Sequence, residues 1–215
     1  MTVSRTSSLL AIALSTALTA CGSGSSNGIP SSNTQSEPTA PIADANKNTP
    51  SQQAIQWASI TDNGLSQCIQ QTGVRWQAEL QLLECPQQHI TSLQGLEQFS
   101  QLRVLNLSQN QLSHIDELTT LNQLTYLDVS HNKITQLDAL APLQQLRTLK
   151  ASHNKVMNID ALEPLTHIQR LYINHNHIRD LNGLAKAPAL QFLVANNNPA
   201  TLPSELPQQL QSFVL

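Results

Sequence analysis

The chain has 215 residues, of which 12% are charged and 3% are aromatic, and its formal net charge is −3 at pH 7. This slightly acidic balance argues against a nucleic-acid partner, because DNA- and RNA-binding domains carry clustered positive charge. The sequence also has no phosphate-binding glycine loop and no HExxH motif, so it predicts a non-enzymatic protein without a cofactor.

The first 20 residues have the composition of an export signal. One early positive charge, Arg5, precedes the apolar run LLAIALSTALTA, which has the length of a secretory signal core. This run is too short to cross a bilayer. We therefore expect residues 1–20 to direct export and then to be removed.

The next motif, LTAC from Leu18 to Cys21, resembles the lipobox of bacterial lipoproteins. Ordinary cleavage at a small-residue site is the alternative, but Leu18 fits the A-x-A rule poorly. The resemblance implies cleavage before Cys21 and acylation of that cysteine, with more than one acyl chain for stable anchoring. Because Gly22 follows the cysteine, it also implies the outer membrane and leaves open whether the domain is periplasmic or surface-facing.

A tether, residues 21–53, follows the predicted lipid attachment site. It contains no aromatic residue, little charge and many Ser, Pro, Asn and Thr residues. Such a segment cannot bury enough apolar area to fold. We expect a disordered tether with a root-mean-square reach of about 30 Å.

Residues 54–79 contain both tryptophans, Trp57 and Trp76. The stretch ITDNGLSQCIQQ predicts a short helix that begins near Asp62. A repeat protein needs a terminal unit that covers its first apolar layer. Because the repeats begin at residue 80, we expect this segment to be their N-terminal cap.

From residue 80 onward, apolar residues recur at an interval of 22 residues. Positions 1, 4 and 6 of each unit are almost all aliphatic, as in Leu124, Leu127 and Val129. Position 9 is Gln88 in the first unit and asparagine in the next five: Asn110, Asn132, Asn154, Asn176 and Asn198. A period of this length predicts a solenoid built from stacked units.

The pattern LxxLxLxxNxIxxLxxLxxLxx resembles the 22-residue class of leucine-rich repeat, known from bacterial internalin-like surface proteins and a eukaryotic regulator of protein phosphatase one. The resemblance implies an α/β repeat solenoid, short, curved and right-handed, with a parallel β-sheet on its concave face and short helical or 3-10 turns on its convex side. We expect five full units over residues 80–189, a variant unit over 190–209 and a final partial strand over 210–215.

Within each unit, positions 3 to 5 are expected to form the strand. The asparagine at position 9 should hydrogen-bond backbone groups that the following turn leaves unpaired. Aspartates recur at position 15, where we expect them to cap helical turns rather than to bind calcium: Asp116, Asp138 and Asp160.

Two cysteines remain after Cys21. Cys68 lies in the predicted cap, and Cys85 takes the inward position 6 of the first unit. Export places both in an oxidising compartment, and the cap must lie against that layer. We therefore predict a disulfide, with two small buried thiols as the alternative.

Strand positions 3 and 5 point outward from the concave face, and both tyrosines of the chain lie there. Tyr and Arg often dominate interface energetics, although aromatic residues are also favoured in strands for packing reasons. We predict a patch that binds a protein or glycan partner, made of Tyr126, Asp128, Lys150, Arg170, Tyr172 and Phe192.

Position 8 carries a column of three histidines, His131, His153 and His175. Imidazoles stacked about 5 Å apart could share a zinc or copper ion, or could gain charge below about pH 6.5. A polar residue is ordinary at this position, and the flanking units carry Gln109 and Asn197. We therefore expect no bound metal, and the adjacent serines have no third group that would orient a catalytic site.

These observations predict a lipid-anchored binding module of the bacterial outer envelope or cell surface. The alternative is a structural lipoprotein that takes part in envelope assembly. At the C-terminal end of the repeats, an uncovered strand edge invites pairing with another chain, although Pro203 and Pro207 could blunt it. We expect a monomer or a weak dimer.

Overall fold

The computed structural model of the chain describes residues 53–201 and 206–215. The predicted signal peptide, Cys21 and the tether up to residue 52 lie outside the described residues. Within the described part, no helix is long and apolar enough to cross a membrane.

In the described residues, seven three-residue strands form one open parallel sheet whose order follows the chain. The strands are β1 (Leu82–Glu84), β2 (Val104–Asn106), β3 (Tyr126–Asp128), β4 (Thr148–Lys150), β5 (Arg170–Tyr172), β6 (Phe192–Val194) and β7 (Ser212–Val214). Paired residues are 22 apart up to β6, as Leu83 with Leu105, and 20 apart in the last pair, Leu193 with Phe213. The predicted strand positions, including the shortened last interval, are confirmed.

The interior is a stack of aliphatic side chains from successive units. Positions 1, 4 and 6 are fully buried in the middle of the solenoid, as Leu124, Leu127 and Val129 show. No unit can bury these side chains alone, so each layer is covered by its neighbours. The same core continues into the N-terminal segment through Leu65 and Ile69.

The asparagine column connects each unit to the one before it. The Oδ1 atom of Asn154 accepts a hydrogen bond from the Ile134 N–H at 3.0 Å, and Nδ2 donates to the carbonyls of Val129 and Ala151. The same three contacts recur at the other members of the column, Asn110, Asn132, Asn176 and Asn198. The predicted role of position 9 is confirmed.

The return side of the repeats consists of short 3-10 segments. They are Leu96–Gln98, Asp116–Thr120, Asp138–Leu140, Asp160–Leu162 and Asn182–Lys186. The prediction that aspartates cap these turns is wrong, because each aspartate is the first residue inside its segment. A cap must stand one residue earlier, in non-helical backbone, and that place is occupied by apolar residues without a side-chain cap: Ile115, Leu137 and Ile159.

The N-terminal segment packs one helix, α1 (Asn63–Gln71), against the first repeat. Asp62 caps it by accepting the Leu65 N–H, which confirms the predicted helix start. A Cβ atom on Gly64 would lie 2.3 Å from the Gln88 carbonyl oxygen, so only glycine allows this close approach. A disulfide joins Cys68 of α1 to Cys85, with Sγ atoms 2.07 Å apart and Cα atoms 5.8 Å apart.

Candidate partner-binding face

The concave face is formed by the outward-pointing first and third residues of each strand. In β2 to β6 the central residue is buried, while most of the flanking residues are half-buried or exposed. The structure brings the six predicted patch residues together on four neighbouring strands: Tyr126, Asp128, Lys150, Arg170, Tyr172 and Phe192. We call this group the concave patch.

Lys150 is the centre of the concave patch. Its Nζ atom lies 5.4 Å from the ring centroid of Tyr126 and 5.9 Å from that of Tyr172. It also lies 3.6 Å from Oδ2 of Asp128. A cation over an aromatic face is attracted by the electrons of the ring, so two rings and one carboxylate hold the ammonium group in place.

The surroundings of Lys150 favour its charged form. A hydrogen bond with Tyr126 and the nearby Asp128 carboxylate raise the pKa of Lys150 above its ordinary value, against the opposing effect of partial burial. Its side chain remains 38% exposed. The concave patch therefore presents a fixed positive charge between two tyrosines.

Asp128 lies beneath this surface rather than on it. The residue is only 8% exposed, and its Oδ1 atom accepts the Ser130 N–H at 3.0 Å. The Tyr126 hydroxyl donates to Oδ2 at 3.5 Å. Asn106 makes the same bond to the Ser108 N–H in its unit, so an Asx turn after position 5 is the sequence signal for this buried role.

A second cation–aromatic pair lies on the adjacent strands. Cζ of the exposed Arg170 lies 5.4 Å from the ring centroid of Phe192, which is half-buried. Val194, on the same strand, extends the apolar part of this surface and is not among the six predicted patch residues. It occupies position 5 of its repeat, and this outward-pointing position could have predicted its place on the face.

The sheet ends on exposed apolar side chains at both extremes. Leu82 on β1 is 53% exposed, and Phe213 and Val214 on β7 are 52% and 49% exposed. Phe213 occupies position 4, which is buried in every other strand, because no further unit covers it within the described residues. The repeat spacing assigns Phe213 to position 4, which is expected to be buried, so it does not predict this exposure.

The three histidines of position 8 form a stack beside the end of the sheet. Neighbouring ring centroids are 4.1 Å apart, and the ring planes differ by 11° and 14°. A metal is bound along the nitrogen lone pair in the plane of the ring, and parallel rings direct their lone pairs side by side instead of toward one point. This geometry does not support a shared ion, and the described residues include no group of three metal-binding side chains.

The serines beside this stack are buried and take part in the turns. The Ser152 hydroxyl lies 2.5 Å from Oδ1 of Asn174, in the next unit. Ser130 donates its N–H to Asp128. These contacts explain the polar residues at position 7 as parts of the turn.

Comparison with known protein families identifies the repeats. The profile described as "Leucine rich repeat" matches residues 88–134 and 100–156, and "Leucine Rich repeats (2 copies)" matches residues 144–186. The chain folds as a leucine-rich repeat solenoid. This confirms the fold class predicted from the sequence.

Solved structures of bacterial leucine-rich repeat proteins resemble this solenoid. An internalin (inlF) of Listeria monocytogenes is 28% identical with a TM-score of 0.65, and the alignment covers 70% of this chain and 48% of that one. The present chain thus spans about half the length of that leucine-rich repeat protein. A search of curated protein sequences finds no match.

Two further structures show lower similarity. An internalin C2 (inlC2) of Listeria monocytogenes is 21% identical, with a TM-score of 0.47 and coverage of 76% of this chain and 97% of that chain. A leucine-rich repeat protein of Leptospira interrogans is 24% identical, with a TM-score of 0.42 and coverage of 53% and 36%.

Proposed function

We propose that this leucine-rich repeat solenoid is a membrane-anchored binding module that recognises a protein partner through the concave patch. The observation that carries this proposal is the position of Lys150 between Tyr126 and Tyr172, beside the Arg170–Phe192 pair. Leucine-rich repeat domains are commonly protein-interaction modules, and the concave patch contains the residue types that most often dominate interface energetics.

The concave patch is also organised before any partner arrives. Its side chains project from neighbouring strands, and the cation–aromatic contacts restrict the long Lys150 and Arg170 side chains. Ordering such side chains on binding costs about 0.5–1.5 kcal/mol each. A pre-arranged patch avoids part of this cost.

The proposed role is binding rather than catalysis. The concave patch lies on the open face of a sheet, and its charged groups are paired with aromatic rings and with Asp128 instead of with a nucleophile. A glycan is the other partner class that these aromatic and cationic groups suit. A structural role in envelope assembly would use the same face against another envelope component, so the identity of the partner distinguishes it from adhesion.

Capture of the partner tests this proposal. The full chain is crosslinked on whole cells and on candidate host material, together with a Tyr126→Ala, Arg170→Ala, Tyr172→Ala variant. The matched control changes three exposed glutamines of position 22, outside the sheet, to alanine: Gln101, Gln123 and Gln145. We expect the parent and the control to retain a partner that the concave-patch variant loses, with a loss of affinity of about 100-fold or more. Equal capture by all three chains would contradict the proposal.

We also propose export and lipid attachment at Cys21, which places the solenoid at the bacterial outer membrane. Labelled palmitate should be incorporated into the parent and not into a Cys21→Ala variant. Protease treatment of intact cells then separates a surface-facing domain, which is degraded, from a periplasmic one, which is protected. Absence of label in the parent would refute the anchor.

A further inference from the structure

A row of basic side chains borders the sheet outside the concave patch. It combines the position 8 histidines with the position 10 residues of the same three units, and its members are His131, Lys133, His153, Lys155, His175 and His177. We call it the basic rim. All six side chains are exposed, and within the described residues neither Lys133 nor Lys155 forms an ion pair.

The backbone fixes the direction of the histidines in this row. His131, His153 and His175 have φ angles of 57°, 55° and 54°, in the left-handed region, and the flanking Gln109 and Asn197 adopt 59° and 58°. Because each unit repeats the same turn, the rings project in the same direction and stack at 4.1 Å. Asn197 continues the row with Nδ2 3.0 Å from Nε2 of His175.

The charge of the basic rim depends on pH. An ordinary histidine titrates near pH 6.5, and partial burial together with His131 and His175 lowers the pKa of the central His153. No carboxylate contributes to that shift. The remaining charged groups of these turns are Lys133, Lys155 and His177 and, at the strand ends, the mutually paired Asp128 and Lys150. Histidine is the side chain whose charge ordinarily changes between pH 5 and pH 8, so a row built on histidines is suited to gain positive charge as the pH falls.

The basic rim and the position 7 residues beside it are polar. Position 7 of these units contributes Ser130, Ser152 and Asn174, so positions 7, 8 and 10 contain no apolar side chain. The cores of protein interfaces are built on buried aromatic and apolar anchors, which this row lacks. The exposed imidazole and ammonium groups of the row instead match the carboxylates of an acidic sugar.

We propose that the basic rim binds a linear acidic polysaccharide, and that this binding strengthens as the pH falls. A polymer with a carboxylate on each sugar is periodic and so is the solenoid, so successive carboxylates can meet successive repeats. The site is separate from the concave patch, and each can fail without the other.

Binding of polygalacturonate to the full chain tests this proposal. The decisive variant is His131→Gln, His153→Gln, His175→Gln, because glutamine already adopts the required left-handed backbone at Gln87 and Gln109. The matched control is His114→Gln, an exposed histidine outside the stack. We expect the parent and the control to bind about tenfold or more tightly at pH 5 than at pH 8, and the triple variant, which keeps only His177 of the four rim histidines, to lose most of this difference.

A second variant covers the case in which the triple variant fails to fold, which circular dichroism would show. Lys133→Gln, Lys155→Gln uses the residue found at the same position in the preceding unit, Gln111. It should weaken binding at both pH values and keep the pH dependence. Binding that does not change with pH, or that survives both variants, would overturn the proposal. So would tighter binding of polyglutamate, which would assign the rim to acidic polypeptides, or equal binding of neutral dextran.

Discussion

The side chain of Asn154 hydrogen-bonds the backbone of its own turn and of the preceding repeat. Its amide hydrogen-bonds one backbone N–H and three carbonyls, and the residue is only 6% exposed. Because buried backbone groups must be paired, removing the amide leaves several polar groups without partners. Five units carry this contact, so each turn of the solenoid depends on it in the same way.

We therefore expect Asn154→Ala to lower the free energy of unfolding by about 3 kcal/mol, from lost hydrogen bonds and unpaired buried groups. The matched control is Asn122→Ala, an exposed asparagine in the turn before β3. Its substitution should change stability by less than about 0.5 kcal/mol. Urea unfolding of both variants measures the difference, and equal effects would show that the column is not structural.

For single residues, the sequence predicts the shared role of a repeat position better than it predicts the contacts of one particular side chain. The role of position 9 could be predicted because an amide has both donors and an acceptor. The prediction missed the buried place of Asp128, which depends on the Asx turn to Ser130 and on contacts with Lys150 and Tyr126. The capping prediction for Asp116 failed because the 3-10 segment begins one residue earlier than the pattern indicates.

The N-terminal helix α1 is held to the first repeat by Asp62. One carboxylate oxygen caps the helix at the Leu65 N–H, and the other accepts bonds from the Thr91 N–H and hydroxyl, at 2.8 and 3.0 Å. Partial burial raises the pKa of Asp62, but the hydrogen bonds outweigh it, so the pKa lies below its usual value of 3.8. Stability from such a group is present above pH 3.8 and is lost as the pH falls through the lower folded pKa.

Asp62→Ala should lower the free energy of unfolding by about 2–3 kcal/mol at pH 7. The difference from the parent should shrink as the pH falls below 3.8 and the parent carboxylate becomes protonated. Asp116→Ala is the control, because that aspartate is exposed and caps nothing. Denaturant unfolding across pH tests this, and a penalty that stays constant down to pH 2 would contradict the linkage.

The disulfide is the second connection between α1 and the repeats. It joins residues 17 apart, for which chain-entropy estimates give a stabilisation of about 3 kcal/mol. A Cys68→Ala, Cys85→Ala variant should lose this amount, and reductant should destabilise the parent but leave the variant unchanged. Equal responses to reductant would mean that the two thiols are not bonded in the protein.

The elements themselves follow closely from residue spacing. Parallel strands pair in register because equivalent residues recur at one interval, and the step of 20 residues into β7 was visible in the positions of Leu210 and Phe213. The exposure of Phe213 was not visible, because burial depends on a following layer and not on the repeat pattern. The repeat interval therefore predicts which strands pair, but the exposure of the last strand, β7, is seen only in the three-dimensional structure.

As a whole molecule, the solenoid is a one-dimensional stack in which each unit contacts its neighbours. Its two ends differ: α1 covers the first layer, whereas β7 exposes Phe213 and Val214. An exposed apolar strand at a sheet edge favours pairing with another chain.

We expect this edge to produce weak dimerisation. Sedimentation velocity of the parent should show association that increases with concentration, and a truncation lacking residues 210–215 should remain monomeric. Phe213→Lys should have the same effect with a single substitution, because an edge lysine disfavours pairing. A parent that is monomeric at every concentration would refute this expectation.

Site-specific photo-crosslinking tests the central claim most directly, because it reports which face touches the partner. A photoreactive residue is placed at Thr148, between Tyr126 and Arg170 on the concave face, and in a second chain at the exposed Gln145, outside the sheet. A binding module that works through the concave patch predicts a crosslinked partner at Thr148, absent at Gln145 and lost when Tyr126, Arg170 and Tyr172 become alanine. Crosslinks at Gln145 that survive those substitutions would contradict it.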